Sequence, residues 1–243
     1  MTTRRPEHRF VTWIRSPAGG GRRGLACAAA LLGIAACAER PEVVRAQVQA
    51  IEAAQGLDGT AVITPLASGD GLEVDLTGPI HSRMADAVVD ALRSARPRRV
   101  VLRLDSLGGS EEAAQDMVWA LHRVRETHAI VGPGGECTSA CLSLWFGVER
   151  RFAAPDAVFG FHGAGCLDAS LDERRCRASV RRANGKARAD IARVAPALLA
   201  YLDGISPPAL TLPPTAVHLV QGRDMIRLGA ALPAVPGNLA SGR

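Results

Sequence analysis

Arg99-Val100-Val101-Leu102-Arg103-Leu104-Asp105-Ser106-Leu107-Gly108-Gly109-Ser110-Glu111-Glu112 decides the architecture of this chain. Its apolar-rich opening predicts a largely buried strand of a parallel sheet, and the double glycine permits a sharp turn. Ser110 is then a helix N-cap, with Glu111 and Glu112 in the first turn where the helix dipole favours negative charge. Met117, Val118, Leu121 and Val124 follow at helical spacing and predict that helix's inner face. Upstream, apolar alternation predicts strands near Ala61–Thr64 and Leu72–Leu76, and Gly78-Pro79 breaks the pattern. A helix carrying Met84, Ala87, Val88, Ala91 and Leu92 on one face runs to Pro97. Downstream come a strand Ala129–Val131, a Gly132-Pro133-Gly134-Gly135 turn and a small-residue helix from Thr138 to Phe146. Alternating strands and helices of this kind define an α/β fold with a mostly parallel sheet.

Charge is distributed unevenly. The net charge of +5 lies within residues 1–37, which hold six arginines against Glu7, whereas residues 38–243 carry 23 basic and 23 acidic side chains. A basic pI located in the leader gives no reason to expect a nucleic-acid partner. The arginine-bearing start is followed by an apolar run, Gly24–Ala36, of 13 residues, too short for a transmembrane helix and suited to an export signal. Ile34-Ala35-Ala36-Cys37 resembles a lipobox, which implies lipidation of Cys37 and membrane anchoring through it; the alternatives are ordinary cleavage near Ala36 or Ala38 and, last in rank, a buried N-terminal helix. The organisation is then a signal peptide over 1–37, a tether and helix over 38–59, one domain over 60–232 and a flexible tail over 233–243. Export places the mature protein in a bacterial periplasm or cell envelope, where cysteines pair. Cys137, Cys141, Cys166 and Cys176 fall in the domain; four cysteines allow three pairings, and the local ones, Cys137 with Cys141 and Cys166 with Cys176, close the shortest loops. Zinc is disfavoured, because neither pair has the tight spacing or companion histidines of a zinc module.

The chemistry-bearing residues are Ser139, in Cys137-Thr138-Ser139-Ala140-Cys141, and His162, at the end of Phe159-Gly160-Phe161-His162. A serine becomes nucleophilic when a base takes its proton, and the oxyanion that forms needs fixed N–H donors. His162 supplies the base. The Gly109 and Ala140 N–H groups supply the donors, with Gly108 allowing close backbone approach. The competing reading treats Thr138–Cys141 as a small-residue packing patch and His162 as a core histidine. Phe159 and Phe161 are expected in the core, and His81, His122, His128 and His218 on helices or loops. A Ser–Lys dyad would have to use Lys186, the only lysine, which lies in a basic helical segment, Glu173–Arg193. That segment follows a loop at Gly163–Asp172 and is expected to be a solvated or subunit-packing helix rather than a face for an anionic partner.

The order of these segments resembles the Clp protease proteolytic subunit (ClpP) and its exported relatives, within the ClpP/crotonase superfamily. The resemblance runs from Leu72 to about Ala230. It rests on Leu76-Thr77-Gly78-Pro79-Ile80 before a helix, the double glycine after a strand, Thr138-Ser139-Ala140, and His162. It implies repeated β-β-α units with a helical extension, serine peptidase chemistry through an acyl-enzyme on Ser139, no cofactor, peptide or unfolded-protein substrates, and homo-oligomers. Two departures stand out: Leu107 replaces a customary proline, and Val217 stands where the family's orienting aspartate is expected. Asp224, Asp203, Asp190 and Asp168 are candidate third members only if the fold delivers one of them to His162. The rival readings are a catalytically inactive binding or scaffold protein and, more remotely, acyl-CoA chemistry on the crotonase branch. Mass spectrometry of membrane and soluble fractions is expected to show a mature chain beginning at or just after Cys37, and retention of residues 1–30 would refute the export assignment.

Overall fold

The computed structural model describes residues 59–165 and 172–234. Along β2 (Gly71–Thr77), Leu72, Val74 and Leu76 alternate with the half-buried Glu73 and Asp75, so one face of the strand is apolar and the other charged. β3 (Arg99–Asp105) pairs parallel with β2 and sends Val100, Leu102 and Leu104 into the same core. β1 (Thr60–Pro65) lies antiparallel on the outer edge of β2. On the far side of β3, β4 (Glu126–Val131), β6 (Arg150–Ala153) and the short β9 (Leu232–Pro233) add in parallel, giving the order β1-β2-β3-β4-β6-β9. A second sheet has β5 (Glu136–Thr138) parallel to β7 (Val158–Phe161) and β8 (His218–Gln221) antiparallel to β7. The fold is thus α/β, with parallel pairing dominant and one antiparallel pair in each sheet.

Helices cover the apolar face. α1 (Ser82–Ala95) buries Met84, Ala85, Val88 and Leu92, α2 (Glu111–Leu121) buries Met117, Val118 and Leu121, and α3 (Ala140–Gly147) buries Leu144, Trp145 and Phe146. Trp145 packs against Phe159 with ring centroids 4.8 Å apart, joining the helical layer to the second sheet. The long α4 (Glu173–Val194) fully buries only Ile191, so most of its surface is free of contacts within the chain. α5 (Pro196–Asp203) starts with Pro196 in its first turn, where the missing N–H costs nothing. α6 (Gly222–Arg227) follows β8 directly. No helix among the described residues is long and apolar enough to cross a membrane.

Several elements depart from the sequence expectations. The strand expected at Ala129–Val131 begins at Glu126, because the Glu126 carboxylate meets Arg99 directly across the ladder at 3.0 Å. The same charged sheet face places Asp75 opposite Arg103, which also pairs with Glu73, so the arginines of the apolar β3 answer acids on neighbouring strands. On α1 it is Ala85, not Ala87, that is buried. Val124 lies beyond the end of α2. Thr138 closes β5 rather than opening a helix, because its N–H donates to the Ser106 carbonyl at 2.9 Å. His81, expected on a helix or loop, N-caps α1: its Nδ1 accepts from the Met84 N–H at 3.1 Å and its Nε2 reaches the Gly59 carbonyl at 3.0 Å. The leader, its lipobox and the tether lie outside the described residues.

His128 on β4 shows how the charged face titrates. Burial holds its pKa below the ordinary 6.5, opposed by the Glu126 carboxylate beside it and reinforced by Arg150 and Arg99. A histidine with a depressed folded pKa favours the fold while neutral, so its contribution is complete above the unfolded value and is lost as pH falls through the folded one. Denaturant unfolding is therefore expected to show wild type losing stability relative to His128→Gln between about pH 7.5 and about pH 5, by at most about 1.4 kcal/mol per pH unit.

Candidate active site

The end of β3 builds the first wall of the site. The Ser106 N–H donates to the Glu136 carbonyl at 2.7 Å, and Ser106 in turn accepts from Thr138, forming a parallel bridge that carries β3 into the second sheet. The Asp105 carboxylate accepts from the Glu136 N–H at 3.1 Å. The buried Ser106 hydroxyl accepts from the Gly108 N–H at 3.1 Å, which fixes the glycine turn from inside. Gly108 and Gly109 have φ of 99° and 140°, values that side chains disfavour. A Cβ on Gly108 would lie 2.6 Å from the Ser139 Cβ and 3.0 Å from the Ala140 nitrogen. A Cβ on Gly109 would strike the Ile80 carbonyl, whose oxygen accepts from the Ser110 N–H at 2.8 Å. The turn thus presses bare backbone against the serine turn from one side and against the Gly78-Pro79-Ile80 segment from the other.

Ser139 occupies the step from β5 into α3 with φ 57° and ψ −124°, a conformation that costs a non-glycine residue about 1–3 kcal/mol. Strained strand-to-helix turns of this kind lift a serine hydroxyl clear of the sheet and bring the residues two before and two after it close together. Here those residues are Cys137 and Cys141, with Cα atoms 5.2 Å apart and a disulfide between them, as the local pairing predicts. Both are fully buried, and the covalent link holds the turn where small residues alone would only permit it. Cys176 is also disulfide-bonded; Cys166, its expected partner, lies outside the described residues.

β7 brings His162 to the same rim. Thr138 pairs with Gly160 and the Ser139 N–H donates to the Gly160 carbonyl at 3.2 Å, so Ser139 and His162 leave the C-terminal ends of adjacent parallel strands. Phe159 and Phe161 are fully buried beneath them, as expected. The Ser139 hydroxyl and the His162 ring are both half-buried, and no hydrogen bond joins them among the described residues. The Gly109 and Ala140 N–H groups likewise have no acceptor among the described residues, whereas that of Gly108 is taken by Ser106, so Gly108 contributes room rather than a donor.

None of the described acids expected as a third member engages His162. Asp203 accepts from Nη1 and Nη2 of the Arg188 guanidinium, at 2.5 and 2.7 Å, which keeps its carboxyl below the usual range. Asp190 pairs with Lys186 at 2.7 Å, and Asp224 with Arg227 at 3.1 Å. Asp168 lies outside the described residues. Phe161 faces His218 as the last pair of the antiparallel β7–β8 ladder, and extending that register by one residue sets Val217 across from His162. The imidazole Nδ1 is instead 2.7 Å from the Gly163 carbonyl, a partner without a signal in the residue pattern.

The fold is similar to that of a ClpP1 mutant from Listeria monocytogenes, with a TM-score of 0.55 at 15% identity, over 68% of this chain and 94% of that one. At that identity the likeness speaks for the fold alone. No protein-family model and no curated protein matches the chain.

Gly108 and Gly134 both have positive φ, but a Cβ on Gly134 would meet nothing within 4 Å. Gly134→Ala is expected to cost about 1–2 kcal/mol through its backbone conformation. Gly108→Ala should cost about 1–3 kcal/mol more through overpacking against Ser139, readable as the difference between the two denaturation midpoints.

Proposed function

We propose that this chain is an exported ClpP-like serine hydrolase, built of ClpP/crotonase-type repeats and acting on peptides or unfolded polypeptides. The observation that carries the reading is the strained Ser139 turn, clamped by Cys137–Cys141 and packed against the bare backbone of Gly108. His162 Nε2 takes the Ser139 proton as Oγ bonds to the substrate carbonyl carbon, and the resulting oxyanion is received by the Gly109 and Ala140 N–H groups at the positive end of α3. Collapse breaks the C–N bond, and His162 returns its proton to the leaving amine. Water then hydrolyses the acyl-enzyme by the same two proton transfers in reverse roles. The Ser139–His162 contact closes when substrate enters, as catalytic hydrogen bonds often tighten only in the complex.

Export follows from the leader, with Cys37 as the lipid anchor of a cell-envelope protein and copies of the chain as oligomer partners. Val217 opposite His162 favours a second reading, an inactive scaffold that keeps the fold and binds polypeptides without cleaving them.

Fluorophosphonate labelling separates the two. Wild type is expected to label at Ser139 and to cleave unfolded polypeptide slowly. Ser139→Ala and His162→Ala should each lose activity by at least about 10³-fold and, combined, by scarcely more, because the two residues act as one unit. Neutral substitutions of Asp190, Asp203 and Asp224, engaged in exposed ion pairs, should each change the rate by less than about threefold. A folded, disulfide-intact protein that neither labels nor cleaves would make the scaffold reading the correct one.

A further inference from the structure

No acid among the described residues is hydrogen-bonded to His162, yet its tautomer is already determined. A carbonyl oxygen can only accept, so the 2.7 Å contact between Nδ1 and the Gly163 carbonyl requires the proton on Nδ1 and leaves the Nε2 lone pair free. That is the form a general base needs. Free histidine has no such constraint, so something must hold the Gly163 carbonyl in place.

The same peptide unit is gripped from its other end. The Gly163 carbonyl and the Ala164 N–H belong to one planar amide, and that N–H donates to the Asn184 Oδ1 at 2.7 Å, 20 residues away on α4. An N–H has no accepting capacity, so the side-chain oxygen of Asn184, not its NH₂, faces the amide. The Gly163 N–H is also fixed, donating to the Leu212 carbonyl at 2.8 Å. A Cβ on Gly163 would lie 2.7 Å from the Leu210 carbonyl and 2.9 Å from that of Leu212, so this buried segment has little freedom to turn. Hydrogen bonds in series polarise one another: accepting from the Ala164 N–H at one end of the amide raises the negative charge on the Gly163 oxygen at the other.

We propose that Asn184 is the positioning residue for His162, acting through the Gly163–Ala164 peptide. The chain of contacts runs from Asn184 Oδ1 to the Ala164 N–H, through the amide to the Gly163 oxygen, and on to the His162 Nδ1 proton. It assigns α4, a charged helix, a part in the chemistry. Asn184 touches neither substrate nor the reacting atoms, and its catalytic meaning rests on the serine hydrolase reading above; its effect on the imidazole does not.

The test uses the full chain, purified oxidised and labelled with ¹⁵N-histidine, with the His162 resonances assigned by their loss in His162→Gln. Wild type is expected to show protonated Nδ1 and unprotonated Nε2 in the neutral ring, the rarer tautomer of free histidine. In Asn184→Ala the Nδ1–H preference should weaken towards a tautomer mixture. The maximal fluorophosphonate labelling rate at Ser139 should fall about 10- to 100-fold with its half-saturation concentration unchanged. Asn184→Asp keeps an acceptor and should restore the tautomer, hold labelling within about threefold of wild type, and move the Nδ1 proton downfield because a carboxylate is the stronger acceptor.

Alanine is the better helix former, so Asn184→Ala removes no helical support, and the aspartate variant reads the coupling even if the alanine protein is loosened. An Nδ1 proton unmoved in Asn184→Asp, or a wild-type tautomer retained in folded Asn184→Ala, would overturn the proposal. Absence of Ser139 labelling in wild type with the tautomer shifts intact would instead overturn the hydrolase reading and leave the positioning role of Asn184 standing.

Discussion

The parallel bridge between Ser106 and Cys137 is the contact on which the candidate site depends. Through it the residue following β3 pairs with β5, so the glycine turn and the serine turn belong to one hydrogen-bonded surface. Ser106 serves three ways: its N–H and carbonyl make the bridge, and its hydroxyl holds the Gly108 N–H. Because Gly108 carries no side chain, the two turns close to a distance that any Cβ would forbid. Stability and the readiness of the serine turn therefore share one structural cause.

The strain at Ser139 is sustained by what surrounds it. The turn is tied at its base by the Cys137–Cys141 disulfide, on one side by the Gly160 carbonyl and on the other by the Gly108 backbone. A residue held in a sparsely populated conformation persists only when its surroundings over-determine it. The histidine side of the site is organised differently. Asp190, Asp203 and Asp224 are each held by an arginine or lysine partner, and polar backbone meets the imidazole at Nδ1. A neutral carbonyl stabilises an imidazolium less than a carboxylate does.

Much of this was visible in the residues. The apolar run of β3, the Ser110 cap with its two glutamates, and the double glycine identified the strand–turn–helix unit, because local propensity and capping act over a few residues. The spacing of Cys137 and Cys141 made their pairing the natural choice, since one turn of chain brings their Cα atoms into range. Boundaries fared less well where distant partners decide: Glu126 joins β4 only because Arg99 stands opposite, and Thr138 stays extended only because Ser106 accepts its N–H. His81 as a helix cap was likewise invisible, since histidine is an uncommon cap and its second nitrogen needs the distant Gly59 carbonyl.

By itself, then, the sequence determined the α/β alternation, the serine and glycine turns, the cysteine pair around Ser139 and the charged, helical character of α4, all set by patterns within a few turns of chain. Tertiary structure alone decided which groups meet at His162. The place of Val217 just beyond the last β7–β8 pair follows from that register, and the contact from Asn184 to the Ala164 N–H spans 20 residues. Hydrogen bonds to backbone amides leave no mark in side-chain patterns, because every residue but proline offers the same donor and acceptor. Only the packing of α4 against the segment after β7 selects the one amide that is held.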